Sequence, residues 1–273
     1  MSTTYLCTAC GTQYPPSDTA PDGCPICTDH RQFVPPKGQS WVSFETMRAG
    51  RRFQIAREGE FLSLSPLPDF GIGNRAFVIQ TPHGNLLWDC VPLVNDAIVE
   101  IVNGLGGLAG IAISHPHYYS SMAEWSAAFG GIPVHIHEDD ARWVMRPGAF
   151  LDAWQGERKE LLPGVTMIRC GGHFAGACVL HVADAHEGRG ALMVGDVLQV
   201  TPGCDRLGFM RSYPNYLPLG EILVRRIGQR LEGVNFDAVY GAFWDRSIGA
   251  GGRAIMDRSI EQHIEWLGRD SDA

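Results

Sequence analysis

No stretch of this 273-residue sequence approaches the roughly 18 consecutive apolar residues that a bilayer-spanning helix needs, which excludes a membrane span. Positive charge is scarce as well. Lysine and arginine number 22 against 30 aspartates and glutamates, a net charge of −8, which excludes the broad basic face that nucleic-acid binding depends on. No pattern recurs at a period of about 20–50 residues, so solenoids and propellers are excluded. The glycines around Leu105 lack the Lys-Ser/Thr ending of a phosphate-binding loop. Met1 to Leu6 is polar, so no secretory leader is expected and the cytosol is the expected compartment.

What is present begins with cysteine. Cys7-Thr-Ala-Cys10 and Cys24-Pro-Ile-Cys27 form two CxxC turns, each aiming two sulfurs at one point. Together they supply the four thiolates that tetrahedral Zn²⁺ prefers, around which a loop-rich piece too small for its own core can fold. Zinc is favoured over iron, and a metal cage over two disulfides. Gly11 lets the backbone turn beneath the sulfurs, and Tyr14-Pro15-Pro16 and Pro21-Asp22-Gly23 are turn formers. The ribbon carries Arg31 and Lys37 against Asp18, Asp22 and Asp29, so its expected role is structural or protein-facing, with no nucleic-acid partner. Pro35-Pro36-Lys37-Gly38 marks its end, which predicts a zinc ribbon over 1–40 and a second domain over 41–273. Four thiolates fill the tetrahedron, so losing one is expected to disturb the ribbon and spare the chemistry downstream. Cys90, Cys170, Cys178 and Cys204 show no metal spacing and read as thiols of a reducing compartment.

With 45% hydrophobic content and 33 glycines, the remainder can bury one large α/β core. Ala76–Gln80 and Asn85–Asp89 flank Thr81-Pro82-His83-Gly84 as a hairpin. Helices are predicted over Asp96–Asn103, Ser120–Phe129, His137–Met145, Leu219–Leu231 and Arg253–Leu267. Strands are predicted at Gly110–Ser114, Pro133–Ile136, Val165–Arg169, Cys178–Val182, Ala191–Val194 and Phe236–Tyr240, with 146–156 irregular. Helices following strands in each half suggest two sheets with outer helices.

Several of these strands end in polar residues at glycine-containing turns. In order they are Leu87-Trp88-Asp89-Cys90, Ser114-His115-Pro116-His117-Tyr118-Tyr119-Ser120, Gly171-Gly172-His173-Phe174-Ala175-Gly176 and Val194-Gly195-Asp196. A second HxH, His135-Ile136-His137, leads into Glu138-Asp139-Asp140 and reads as structural, a helix start with favourable acidic residues. His30, His83, His181, His186 and His263 lack a partner motif.

Taken in that order, residues 50–273 resemble the metallo-β-lactamase superfamily. The resemblance implies a four-layered αββα sandwich preceded by the small, rubredoxin-like zinc ribbon with its four cysteines. It matches His115 and His117 to the two leading histidines of the HxHxDH pattern, His173 to the histidine of the GH turn, and Asp196 to the aspartate of the GD strand end. Asp89 matches the aspartate of the first motif, which supports the site from behind the ligands. The family's DH is replaced by Tyr119-Ser120, and its late histidine is missing from Tyr240-Gly241-Ala242-Phe243-Trp244. A phenol and a hydroxyl are poor replacements for carboxylate and imidazole, so at most one ion is expected.

The implied activity is a mononuclear hydrolase acting on a small molecule. His115, His117 and His173 would hold Zn²⁺, Asp196 would ligate or orient water, and activated water would attack an ester, thioester, lactone or amide carbonyl. Two alternatives stay open. One is a mononuclear Fe²⁺ enzyme of the persulfide dioxygenase type, using His115, His173 and Asp196; the other is a non-catalytic binding protein with a relict pocket. Tyr118, Tyr119, Ser120 and the run from Phe209 to Tyr216 stand as substrate-facing or as packing.

Overall fold

A computed structural model describes residues 2–268. The chain divides into two compact units, Met1–Trp154 and Gln155–Ala273. Among the described residues no helix is long and apolar enough to cross a membrane.

In the first unit, β1 (Tyr5–Cys7) pairs antiparallel with β2 (Trp41–Ser43), Cys7 opposite Trp41. The predicted ribbon boundary near residue 40 is therefore crossed by a strand pair. Ser43 then caps the helix Phe44–Arg48, its hydroxyl accepting from Thr46 N at 3.1 Å. The main sheet holds β3 (Arg52–Glu58), β4 (Phe61–Leu67), β5 (Ala76–Thr81), β6 (Gly84–Trp88), β7 (Gly110–Ala112), β8 (Val134–His137) and β9 (Leu151–Trp154), side by side in chain order. Pairing is antiparallel from β3 to β6 and parallel from β6 to β9. Parallel neighbours need crossovers, and the helix Asp96–Gly104 supplies the one between β6 and β7. Asn95 caps it by accepting from Ile98 N at 3.0 Å. The next crossover holds the histidine loop and the helix Met122–Ala128.

The predicted β5–β6 hairpin is present, with Thr81 paired to Gly84 and the Thr81 hydroxyl donating to the Gly84 carbonyl at 2.7 Å. Val78, Leu87, Ile98, Val102, Ile111, Val134 and Trp125 are fully buried, and truncating a buried tryptophan of this kind costs about 3–5 kcal/mol. The buried Arg75 is tolerated because it pairs with Glu58 and lies 4.7 Å above the Phe77 ring.

Two predictions fail locally. The helix expected over His137–Met145 is a 3₁₀ segment, Glu138–Trp143, whose start is set by His137 Nδ1 accepting from Asp139 N at 3.2 Å. The stretch expected to be irregular contains β9. Its residues Leu-Asp-Ala-Trp show little strand patterning, and the open edge of β8 recruits them, Leu151 opposite Val134.

In the second unit, β10 (Arg158–Leu162), β11 (Val165–Arg169), β12 (Cys178–Val182) and β13 (Ala191–Met193) run antiparallel. Two short hairpins follow: β14 (Gln199–Val200) with β15 (Leu207–Gly208), and β16 (Met210–Ser212) with β17 (Leu217–Pro218). The sheet is completed by β18 (Ala238–Tyr240), parallel to β13, and β19 (Ser247–Ile248), antiparallel to β18. The helices Glu221–Arg230 and Gly252–Leu267 match their predicted positions. Met167, Leu180, Leu192, Val224, Ile227 and Met256 are fully buried.

Candidate metal centres

The ribbon supplies the first centre. Cys7, Cys10, Cys24 and Cys27 are at most 3% exposed, and their sulfurs all lie within 4.8 Å of one another. Cys7 Sγ is 3.5 Å from Cys27 Sγ, and Cys10 Sγ is 3.6 Å from Cys24 Sγ. A disulfide needs about 2.05 Å. Zinc–sulfur bonds of about 2.3 Å would set tetrahedral sulfurs about 3.8 Å apart, so the spacing fits a metal cage. The knuckle is folded by Gly11 N donating to Cys7 O at 2.9 Å and Cys7 N donating to Thr12 O at 3.0 Å, with Gly11 at φ 78°. Hydrogen bonds from Cys10, then Cys27 and Cys7, draw the Cys24 thiol far below its ordinary range, which favours a thiolate. Gln39 donates its amide to Cys7 Sγ at 2.9 Å. Tyr14, Ile26 and Trp41 wall the sulfurs off together with Ile72, Trp143 and Met145, so residues beyond the ribbon help enclose the cage.

The first unit also presents His115 and His117. Beyond β7 the chain runs extended through Ser114 into His115 and then turns through the 3₁₀ segment Pro116–Tyr118. The two imidazoles, 1% and 2% exposed, stand 5.0 Å apart centre to centre. Ser114 Oγ engages His115 Nδ1 at 2.8 Å, which assigns Nε2 to any metal. Asp89, at φ 60°, accepts from Ser114 N at 2.7 Å and donates its own N–H to Ala112 O at 2.8 Å. Its carboxylate thus holds the backbone immediately before His115.

The second unit presents His173 and Asp196, 1% and 5% exposed, with Nε2 and Oδ2 3.8 Å apart. His173 sits in the turn from β11 to β12, after Gly171 and Gly172 at φ 72° and 83°. A side chain at Gly172 would also strike Leu219 and Ile227, at 3.0 and 3.1 Å. His173 Nδ1 donates to Met210 O at 3.2 Å, which again directs Nε2 toward a ligand role. Asp196 follows β13. Gln199 Nε2 donates to its Oδ1 at 3.4 Å, and the Tyr213 hydroxyl donates to its main-chain carbonyl at 3.2 Å and to Gly208 O at 3.1 Å. Burial first, and the charge of Asp196 second, push the Tyr213 phenol well above its usual value and keep it protonated.

No profile of a known protein family matches the sequence. The uncharacterized protein YmaE of Bacillus subtilis is 40% identical over 266 residues, covering 96% of each chain. Two solved structures share the fold, each with a TM-score of 0.50. One is a B3 metallo-β-lactamase with an active-site glutamic acid, 17% identical over 76% of this chain and 89% of that one. The other is a metallo-β-lactamase of Cronobacter sakazakii with an HARLDQ motif, 19% identical over 82% of this chain and 95% of that one. The chain belongs to the YmaE family and has the metallo-β-lactamase fold.

In this member of the YmaE family, Tyr119 and Ser120 are committed to packing. The Tyr119 hydroxyl donates to Asp140 O at 3.3 Å, and the Ser120 hydroxyl to Gly11 O at 3.4 Å. The second HxH is structural: His135 Nδ1 meets Asp152 Oδ2 at 2.6 Å, and His137 caps the following 3₁₀ segment. Met210 and Tyr213 of the aromatic run hold His173 and Asp196 in place. Sequence reasoning missed Gln199, whose only signal was its place three residues after Asp196, and did not foresee that Met210 acts through its main-chain carbonyl.

Proposed function

We propose that this chain is a metal-dependent hydrolase in which His115, His117, His173 and Asp196 hold one ion, and that Cys7, Cys10, Cys24 and Cys27 hold a structural Zn²⁺. The observation that carries this reading is a pair of buried donors in each unit, His115 beside His117 in the first and His173 with Asp196, 3.8 Å apart, in the second. Three imidazoles suit a zinc ion that keeps its fourth position for water or substrate, with Asp196 ligating or orienting that water, and a bound ion there would acidify water and polarise a carbonyl. The protein's own groups do the rest. Ser114 and Met210 fix the ring tautomers of His115 and His173, and Asp89 fixes the backbone before His115. Gln199 steadies the Asp196 carboxylate while Tyr213 anchors its main chain.

The single-ion reading is supported by Tyr119 and Ser120, whose hydroxyls are used in packing. A cytosolic location is supported by Cys90, Cys170, Cys178 and Cys204, all of them free thiols. The substrate class is a small ester, thioester, lactone or amide. The test is elemental analysis of the full chain together with hydrolysis of one model compound from each class. We expect two zinc ions per chain, one in each centre, and turnover abolished in His115→Ala and His173→Ala. Iron in the second centre with no hydrolysis would move the reading to oxidative chemistry, and a metal-free second centre would leave a binding protein.

A further inference from the structure

The ribbon does not hang beside the histidine loop; it is bonded to it. Gln13 N donates to Ser120 O at 3.3 Å, and Ser120 Oγ donates back to Gly11 O at 3.4 Å. Ser120 lies three residues after His117 and at φ 41°, a left-handed conformation that a non-glycine residue keeps only when its surroundings hold it there. The buried Gln13 side chain adds a second tie. Its Nε2 donates to Glu124 Oε1 at 3.3 Å, and its Oε1 accepts from Arg146, which also pairs with Glu124. Glu124 belongs to the helix Met122–Ala128 that leaves the histidine loop. The third contact is backbone against backbone. A Cβ on Gly71 would stand 2.8 Å from Gly11 N and 2.9 Å from Cys10 C, so glycine at position 71 is what allows the knuckle to seat.

We propose that the first cysteine knuckle is a positioning element for the second metal centre. By closing Cys7 to Thr12 around a metal, the cage holds Gly11 and Gln13 where they fix Ser120, and Ser120 in turn fixes the stretch that carries His115 and His117. Metal in the cage therefore raises metal affinity at the histidines. This rests on the reading of His115 and His117 as ligands. Gly11 and Gln13 act through Ser120 and touch no metal themselves.

Cadmium-113 NMR on the full chain tests it, because thiolate and imidazole–carboxylate environments resonate far apart. Wild type should give one signal of each kind. Gly71→Ala, which wedges the knuckle away, and Gln13→Ala, which cuts the side-chain ties, should shift or broaden the imidazole–carboxylate signal and lower cadmium affinity there by about 10- to 100-fold, the range found when groups behind metal ligands are lost. Phe33→Ala, at an exposed ribbon position, should change neither. An unchanged second signal and affinity in both contact variants would overturn the positioning role while leaving the metal centre intact. No second signal in wild type would instead sink the metal centre, and the positioning role with it. If Gly71→Ala fails to fold, Gln13→Ala decides, since it leaves the backbone untouched.

Discussion

The two sets of donor residues are placed by opposite routes. In the ribbon, the four donors from Cys7 to Cys27 come from two tight turns, and each sulfur finds its place within a few residues of local geometry. In the second set, the backbone before His115, the His173 ring and the main chain of Asp196 are each held by a residue distant in sequence. Asp89 reaches Ser114, Met210 reaches His173, and Tyr213 reaches Asp196. A local cage of four thiolates is closed and suits a structural ion. Side chains at strand ends, steadied as His115, His173 and Asp196 are by a hydroxyl, a carbonyl and an amide, suit a centre with an open position.

The largest effect should come from breaking the closed route. Cys24→Ser removes a buried thiolate from a cluster that includes Tyr14, Ile26 and Trp143, and should cost about 3 kcal/mol or more in thermal or urea unfolding of the zinc-loaded chain. Next in size is the open centre. Asp196→Ala should lower metal affinity there by more than about tenfold, as expected when an anionic ligand is lost, whereas Asp139→Ala, on the 3₁₀ segment, should leave it unchanged. Competition with a chromogenic chelator measures both, and equal affinities for wild type and the Asp196 variant would remove Asp196 from the ligand set.

A smaller effect should follow Tyr213→Phe. It deletes a buried hydroxyl serving two carbonyls and should cost about 1–3 kcal/mol in stability. Because the phenol stays protonated, that loss should be the same at pH 7 and pH 9.

The smallest concerns His181, remote from either donor set. Burial lowers its pKa below the ordinary value of 6.5, although its Nε2 donates to Asn235 O at 2.7 Å. Below about pH 6.5 the unfolded chain takes up this proton before the folded one, so stability falls with acid through that window and is unaffected above it. His181→Gln should flatten the fall in stability below about pH 6.5 in urea melts.

Legibility in the sequence followed the same division. CxxC spacing announces the cage because a turn and its sulfurs are one local object. HxH, GH and GD were readable as strand ends, in an order that carried the fold. The residues behind the ligands were not readable, since Met210 acts through a main-chain carbonyl and Gln199 carries no motif. β9 was missed because its pairing is imposed by β8 and its own four residues contain only one buried side chain, Trp154. The expectation that losing a ribbon cysteine would spare the downstream chemistry treated the ribbon as separate. Bonds run from Gly11 and Gln13 to Ser120, Glu124 and Arg146, and nothing in the knuckle's own sequence points to them.

Those bonds join residues 107 to 133 positions apart in the chain. During synthesis the cysteine knuckles leave the ribosome well before the surface that receives them, which is not complete until Arg146 has been made. At about 5–20 residues per second the wait is roughly 7 to 27 s. The ribbon is thus able to bind metal well before it can dock. A cage loaded with zinc during that interval would keep the growing chain's thiols covered until residues 71 to 146 arrive to receive it.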